Sequence, residues 1–293
     1  MGRLNSRSPE DLGRIAVAWQ VHVTATDKIA QVTQIYKAMA DPTGVRDIWE
    51  RLSADERALI STLDRGDDGS LDIPGLATRL DLPEEEVRTV AARLYHKGIV
   101  ARERDDGPLP VGELPKLFLP REIGHGFRRV LDEIAAGASG GKPLAGLLAT
   151  LDDNELEAAA DLWGVRIVPG LRPREEVARL ILEHVADPQR RDAVIGRLRG
   201  DAARLWRQFS GASGPAPTPL SAAMEAAGLH GDDIATAQRR RQALGDLEGA
   251  LLVWHLYLPD ARRAIFIPAE IREPGMAPVS DRPLPPPVSP PSP

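Results

Sequence analysis

The chain of 293 residues contains no cysteine, few aromatic side chains and no long hydrophobic run. Without cysteine, disulfides, zinc–thiolate sites, iron–sulfur clusters and cysteine nucleophiles are excluded. Aromatic residues make up 4% of the chain and hydrophobic residues 42%, so the core is expected to be aliphatic. The longest apolar run, 250–258, contains His255 and is too short to span a bilayer. We therefore expect a cytoplasmic protein without a membrane segment, and the preference for arginine over lysine is typical of bacterial sequences.

Helical periodicity, turn signals and composition divide the chain into five segments. We expect a mainly α fold with small β-hairpins, in which tandem winged-helix modules are joined by a helical unit. Two short helices around Gly164-Val165 and Gly170 make this unit loosely resemble the SAP module of DNA-binding proteins. The predicted segments are N-terminal helices at 1–45, a first winged helix at 46–136, a helical linker domain at 137–196, a second winged helix at 197–274 and a disordered proline-rich tail at 275–293.

The first winged-helix segment carries the clearest local signals. Ser53 and Glu56 have the spacing of a capping box, in which each side chain accepts a hydrogen bond from the other residue's backbone N–H. The order helix, short strand, helix, helix, hairpin predicts a winged helix. After the capping box, the expected elements are a strand at 70–72, a helix at 73–80, a third helix at 83–98 and hairpin strands at 99–104 and 116–119.

The second winged-helix segment repeats this order. Residues 117–123 match residues 265–271 at a constant offset, with Phe-x-Pro-x-Glu-Ile in both. A third helix at 232–248 and a hairpin of 250–258 with 263–267 complete the second module. We interpret the chain as an imperfect duplication.

Two glycine-rich patterns fall short of a catalytic motif. Residues 137–141 fit Gly-x-Ser-x-Gly, but a helix is expected before them where that motif needs a strand, and no histidine completes a triad. Residues 140–143 end in proline where a phosphate-binding loop needs Ser or Thr. The six histidines show no metal-ligand spacing. We expect a non-enzymatic protein with no catalytic residue, metal site or cofactor.

Candidate DNA contacts lie on the two predicted third helices and on the second hairpin. In DNA-binding winged helices the third helix enters the major groove and the wing touches the backbone. On the second module we expect the arginines to form one cationic surface on a chain of net charge −6, with Ile234 and Arg241 turned inward. The candidate residues are Arg239, Arg240, Arg262 and Arg263 of the second module and Arg88 and Arg93 of the first.

The first module is ambiguous as a DNA reader. Glutamates at 84–86 open its third helix, and they repel phosphate. With the apolar residues of this helix turned inward, Glu85, Thr89, Ala92 and His96 form the opposite face. DNA contact and protein contact therefore stay open as alternatives for this helix.

The run 49–57, taken with 117–120, resembles the winged-helix N-terminal region of XPB-type helicases, a region that also occurs in bacterial helicase-associated proteins. Residues 252–254 and 266–268 make the second module similar. The resemblance implies a DNA-linked role in repair or transcription, with DNA, a helicase, or transcription or repair proteins as partners. The helicase motor and its phosphate loop are missing from this chain, so no catalytic residue is carried over.

Two functions are expected on these grounds. The first is a non-enzymatic DNA-binding accessory or regulatory protein that uses the arginines of the second module. The alternative is a winged-helix scaffold that binds other proteins.

Overall fold

A computed structural model of the chain describes residues 2–64, 70–103, 116–137, 141–166, 172–211, 216–231 and 233–272. In these residues the fold is mainly α-helical with two small antiparallel sheets, which confirms the expected mainly α fold with small β-hairpins. The tip of the first hairpin, residues 138–140 of the glycine-rich patterns and the predicted tail lie outside the described residues.

The N-terminal half of the described chain contains eight helices and three strands. In chain order they are α1 (Gly2–Asn5), α2 (Pro9–Ala18), α3 (Lys28–Ala40), α4 (Pro42–Glu50), α5 (Ala54–Asp64), β1 (Ser70–Leu71), α6 (Ile73–Leu80), α7 (Glu84–His96), β2 (Ala101–Arg102), β3 (Leu117–Phe118) and α8 (Arg121–Gly137).

The C-terminal half adds eight further helices and three strands among the described residues. They are α9 (Leu144–Leu148), α10 (Asp153–Leu162), α11 (Arg174–Ala186), α12 (Pro188–Gly196), α13 (Gly200–Gly211), β4 (Thr218–Pro219), α14 (Leu220–Ala226), α15 (Ile234–Gly249), β5 (Trp254–Tyr257), β6 (Arg263–Phe266) and α16 (Ala269–Arg272).

Local side-chain caps start many of these helices. The predicted capping box is present before α5, where the Glu56 N–H donates to Ser53 Oγ and the Ser53 N–H donates to the Glu56 carboxylate. A second box joins Asp152 and Glu155 at the start of α10. Helix α6 starts at the predicted residue because the Asp72 carboxylate accepts a hydrogen bond from an early backbone N–H.

The same order of elements occurs twice, in an N-terminal repeat (α1–α8) and a C-terminal repeat (α9–α16). The sheet orders correspond, with β3 central between β1 and β2, and β6 central between β4 and β5. Asp41-Pro42 joins α3 to α4, Asp187-Pro188 joins α11 to α12, and each aspartate caps the second helix. Helices α9–α12, in the segment predicted as a SAP-like linker, therefore correspond to the N-terminal helices α1–α4.

A tryptophan makes the same long-range hydrogen bond in both repeats. Trp19 follows α2, and its indole N–H donates to the carbonyl of Lys97 at the end of α7, at 2.8 Å. Trp163 follows α10 and donates to the carbonyl of Ala250 at the end of α15, at 3.2 Å. Equivalent bonds between equivalent helices support the duplication independently of the hairpin sequences.

Each repeat encloses its own aliphatic core, and the two cores meet where α8 packs against β5. Tyr257 of β5 belongs to the C-terminal repeat in sequence but packs into the N-terminal core. Gly137, the last residue of α8, lies against the Tyr257 backbone so closely that a Cβ at 137 would overlap the Tyr257 carbonyl oxygen. This glycine allows the two repeats to approach each other.

We expect Gly137→Ala to destabilise the protein by about 1–3 kcal/mol, because the added methyl group must displace backbone at the contact between the repeats. The matched control is Gly245→Ala in the middle of α15, where a Cβ meets open space. This control should instead gain about 0.5–1 kcal/mol from helix propensity. Urea unfolding of both variants measures the difference, and equal effects would contradict the close approach.

Candidate functional site

Helix α4 places two opposite charges side by side in the interior between the repeats. The helix starts at Pro42 because the Asp41 carboxylate accepts hydrogen bonds from two early backbone N–H groups. Four residues into α4, Arg46 is 0% exposed, and Asp47 is buried beside it. Consecutive helical residues point about 100° apart. Each of these two side chains therefore organises its own cluster.

The Arg46 cluster joins α4, α8 and α15. The Arg46 guanidinium donates to Glu133 of α8 at 2.5 Å and to Glu248 of α15 at 2.7 and 2.8 Å. Arg129 of α8 donates to the same Glu248 at 2.8 Å and to Glu155 of α10 at 2.5 Å. Two arginines and three carboxylates from both repeats thus share one buried network.

The Asp47 cluster joins α4 to α15 and β6. Its carboxylate lies 2.9 Å from Arg263, 3.2 Å from Arg241 and 3.4 Å from Arg240. Glu50, one turn further along α4, lies 3.0 Å from the Arg263 Nε atom. Here the N-terminal repeat supplies the carboxylates and the C-terminal repeat supplies the arginines.

This arrangement shows that the predicted single cationic surface on the second module is wrong. Arg263 is 4% exposed and Arg240 is mostly buried, because both turn toward Asp47 of the other repeat. Arg262 stays outside at 62% exposure and pairs with Asp260 in the hairpin turn. The inward orientation predicted for Arg241 is confirmed, since its guanidinium bonds Asp47 and the Trp19 carbonyl.

Each of the other three candidate arginines pairs with one or two carboxylates of its own repeat. The pairs are Arg239 with Asp201 of α13, Arg93 with Glu56 of α5, and Arg88 with Glu84 and Glu85 of α7.

Helix α4 covers one face of α15, the face that carries Arg240, Arg241 and Glu248. Its exposed residues include Gln238 and Gln242, which are uncharged. The prediction that Ile234 turns inward is wrong, since it is 37% exposed at the first turn of the helix. Little of the positive charge of α15 therefore lies on its solvent-exposed face.

A cleft of about 410 Å³ opens beside the Asp47 cluster, and we call it the cationic cleft. Five of its lining side chains are arginines and two are carboxylates, so positive charge is in excess. The charged residues that line it are Arg51, Arg57, Arg240, Arg262, Arg263, Asp47 and Glu50.

Arg51 and Arg57 give this cleft most of its unpaired charge. Arg51 donates to the carbonyl of Asp47, and Arg57 donates to the carbonyls of Trp49 and Glu50. Among the described residues, neither forms an ion pair with a carboxylate. Sequence reasoning missed both because Arg51 lies in the connection after α4 and Arg57 in α5, away from the third helices. The available signal was that two arginines lie close together around the α4–α5 turn.

Burial and charge act in opposite directions on the acidic groups of the interface. Burial disfavours ionised Glu248, but Arg46 and Arg129 outweigh it and hold the pKa of Glu248 far below its ordinary value. Burial likewise opposes ionised Asp47, yet its three arginines lower its pKa. Burial raises the pKa of Glu133, and the opposing effect of Arg46, which also binds Glu248, does not cancel this rise.

His255 of β5 lies within this network without joining it. Its side chain is fully buried, its Nε2 atom is 3.9 Å from Glu248, and neither ring nitrogen has a hydrogen-bond partner among the described residues. Burial, together with the nearby Arg46, lowers the pKa of His255 well below 6.5. The imidazole is therefore neutral at pH 7.

The described residues contain no group of three or more His, Asp or Glu side chains suited to hold a metal ion. No helix within them has both the length and the apolar character needed to cross a membrane. No protein-family model, curated protein or solved structure matches the chain. The site is therefore interpreted from its own geometry, which can hold two repeats together and accept an anion.

Replacing Arg46 with methionine should destabilise the protein by about 3–5 kcal/mol, because it leaves Glu133 and Glu248 buried without their shared cation. Arg88→Met is the matched control, since Arg88 pairs with Glu84 on the exposed surface of α7. Its expected cost is under about 0.5 kcal/mol. Guanidinium or urea denaturation measures the free energy of unfolding of both variants. A loss for Arg46→Met no larger than that of the control would show that the network does not contribute to stability.

His255 should make stability depend on pH near neutrality. Its folded pKa lies below the unfolded value of 6.5, so the unfolded chain binds more protons below that pH. The free energy of unfolding is therefore expected to fall as pH drops below about 6.5, by at most about 1.4 kcal/mol per pH unit. His255→Gln should remove this slope between about pH 6.5 and 5.5. An unchanged slope in the variant would mean that other groups cause it.

Proposed function

We propose that this chain is a non-enzymatic interaction protein built from two tandem winged-helix modules, and that it binds other proteins. The element order of each repeat, with a hairpin after the third helix and a central β3 or β6 strand, supports the winged-helix interpretation. One observation carries the choice of a protein partner. Helix α15, which would enter the DNA groove, packs on α4 and places Arg240 and Arg241 on Asp47.

This contact inside the chain is an example of the recognition mode that we propose. A third helix with charged side chains binds the surface of a second folded unit through ion pairs, as partner proteins do across an interface. The equivalent helix α7 of the N-terminal repeat remains open on its outer face. Glu85, Thr89, Ala92 and His96 are exposed there, as the sequence predicted.

The face of α7 fits a partner with a basic surface. Its first turn carries three glutamates, and the half-buried Arg88 already pairs with two of them. Acidic charge at this position repels phosphate and attracts lysine and arginine side chains. The resemblance to the N-terminal region of XPB-type helicases makes helicase, transcription and repair proteins the first partners to test.

The test is affinity purification from the source organism with quantitative mass spectrometry, using the intact chain and a double variant, Glu85→Lys with Thr89→Arg. Both positions are exposed, so the fold should persist while the charge of the α7 face reverses. The matched control is Glu183→Lys on α11, an exposed glutamate that also pairs with an arginine one turn away. A partner lost only with the α7 variant supports the proposal, and a partner retained by both variants contradicts it.

A DNA-binding accessory or regulatory role in repair or transcription is the second candidate, and one observation favours it. The cationic cleft collects Arg240, Arg262 and Arg263 from the sequence-based candidates and adds Arg51 and Arg57. Phosphate contacts by several arginines give binding that weakens steeply with salt. A protein platform requires no such binding.

Fluorescence anisotropy with labelled duplex and single-stranded DNA, between about 50 and 200 mM salt, separates the two candidates. We expect no salt-sensitive binding by the intact chain, because the arginines of α15 are paired with carboxylates. Binding that falls steeply with salt, and that disappears in Arg57→Gln with Arg262→Gln, would move the assignment to DNA.

A further inference from the structure

An apolar pocket lies next to the cationic cleft and shares three residues with it. This pocket, of about 390 Å³, lies between α8 and the second hairpin, and its walls include Trp49, Ile134 and Tyr257. Arg57 is one of the shared residues. A charged compartment and an apolar compartment are therefore continuous, and each is of a size typical of a ligand-binding pocket.

The charged compartment suits the head of an anionic molecule. Arg51 and Arg57 form no ion pair with a carboxylate of the described residues, and Arg262 stands exposed at the edge. Arginine forks match phosphate and carboxylate oxygens in bidentate geometry. Arg240 Nε and Arg263 Nη1 also have no hydrogen-bond partner among the described residues, which adds to the local positive potential.

The apolar compartment suits the body of the same molecule. Ile134 exposes 37% of its surface there, although it lies on α8 between the repeats. Tyr257 is buried, and its hydroxyl has no hydrogen-bond partner in the described part of the chain. At the junction the Arg57 guanidinium lies 5.6 Å from the Trp49 ring centroid, so one residue borders both the charged and the aromatic part.

We infer that the cationic cleft and the apolar pocket form one binding site for a small amphipathic anion, with a phosphate head held by Arg51, Arg57 and Arg262 and an apolar body against Trp49, Ile134 and Tyr257. Phosphate is favoured over carboxylate because at least two guanidinium charges without ionic partners are available, which matches a dianion. This inference is independent of the protein-binding function proposed above.

Isothermal titration calorimetry of the intact chain with 1-naphthyl phosphate tests the site, and inorganic phosphate and 1-naphthol serve as its separate halves. The ester should bind at least about tenfold more tightly than either half, because both compartments are then filled by one molecule. Inorganic phosphate that binds as tightly as the ester would overturn the bipartite site. The ester should also be displaced poorly by duplex DNA, and efficient displacement at equal phosphate concentration would assign the cleft to the DNA backbone instead.

Matched variants locate the binding. Arg262→Gln and Ile134→Asp should each weaken binding of the ester by about tenfold or more. The first variant removes a contact to the phosphate head, and the second places a negative charge beside the apolar body of the anion. Their controls are Arg239→Gln, a paired surface arginine outside the cleft, and Ile234→Asp, an isoleucine with the same 37% exposure on α15. Circular dichroism checks that all four variants remain folded. Equal losses in the variants and the controls would overturn the proposed location.

Discussion

A guanidinium buried between two carboxylates of different repeats is the interaction on which the rest of this structure depends. Arg46 has no solvent-exposed surface, and its partners Glu133 and Glu248 come from α8 and α15. Removing these charges from water costs several kcal/mol for each ion, so the arrangement persists only with nearly complete pairing. The fixed geometry of α4, α8 and α15 provides that pairing, and the positions of the cleft, the hairpin and α15 follow from it.

Positive and negative charges balance over the whole interface, although they do not balance within either of its two clusters. The Arg46 cluster contains one more carboxylate than arginine, and the Asp47 cluster contains one more arginine than carboxylate. Adjacent positions on α4 bring these opposite excesses next to each other. The remaining positive charge therefore lies on the side of the Asp47 cluster, where the cationic cleft opens.

Local structure was predictable from the sequence because its causes are local. The capping box at Ser53 and Glu56, the start of α6 and the glycine after α7 follow from residues a few positions apart. The interface was not predictable, because Arg46 and Glu248 are 202 residues apart and no local pattern links them. Arg240 and Arg263 were predicted as DNA contacts, because without the position of Asp47 the sequence gives no sign that they turn inward.

The duplication was only partly predictable, because sequence patterns record local similarity and little of the rest of the fold. The hairpin ends preserve a sequence match, whereas the helices α9–α12 share with α1–α4 mainly an order, an Asp-Pro joint and a tryptophan hydrogen bond. Apolar helix faces accept many residue combinations, so a fold can persist after its sequence signal has faded.

The difference between the two copies of the Asp-Pro joint has a consequence for self-assembly. Counting from Pro42 and Pro188, Asp192 and Ala193 of α12 occupy the positions that Arg46 and Asp47 hold on α4, and both are exposed. A head-to-tail contact propagates into a filament only when each free end offers the surface that the other end needs. Here α12 does not carry the charge pair that α15 binds, so the contact between α4 and α15 cannot be repeated in the same manner on α12.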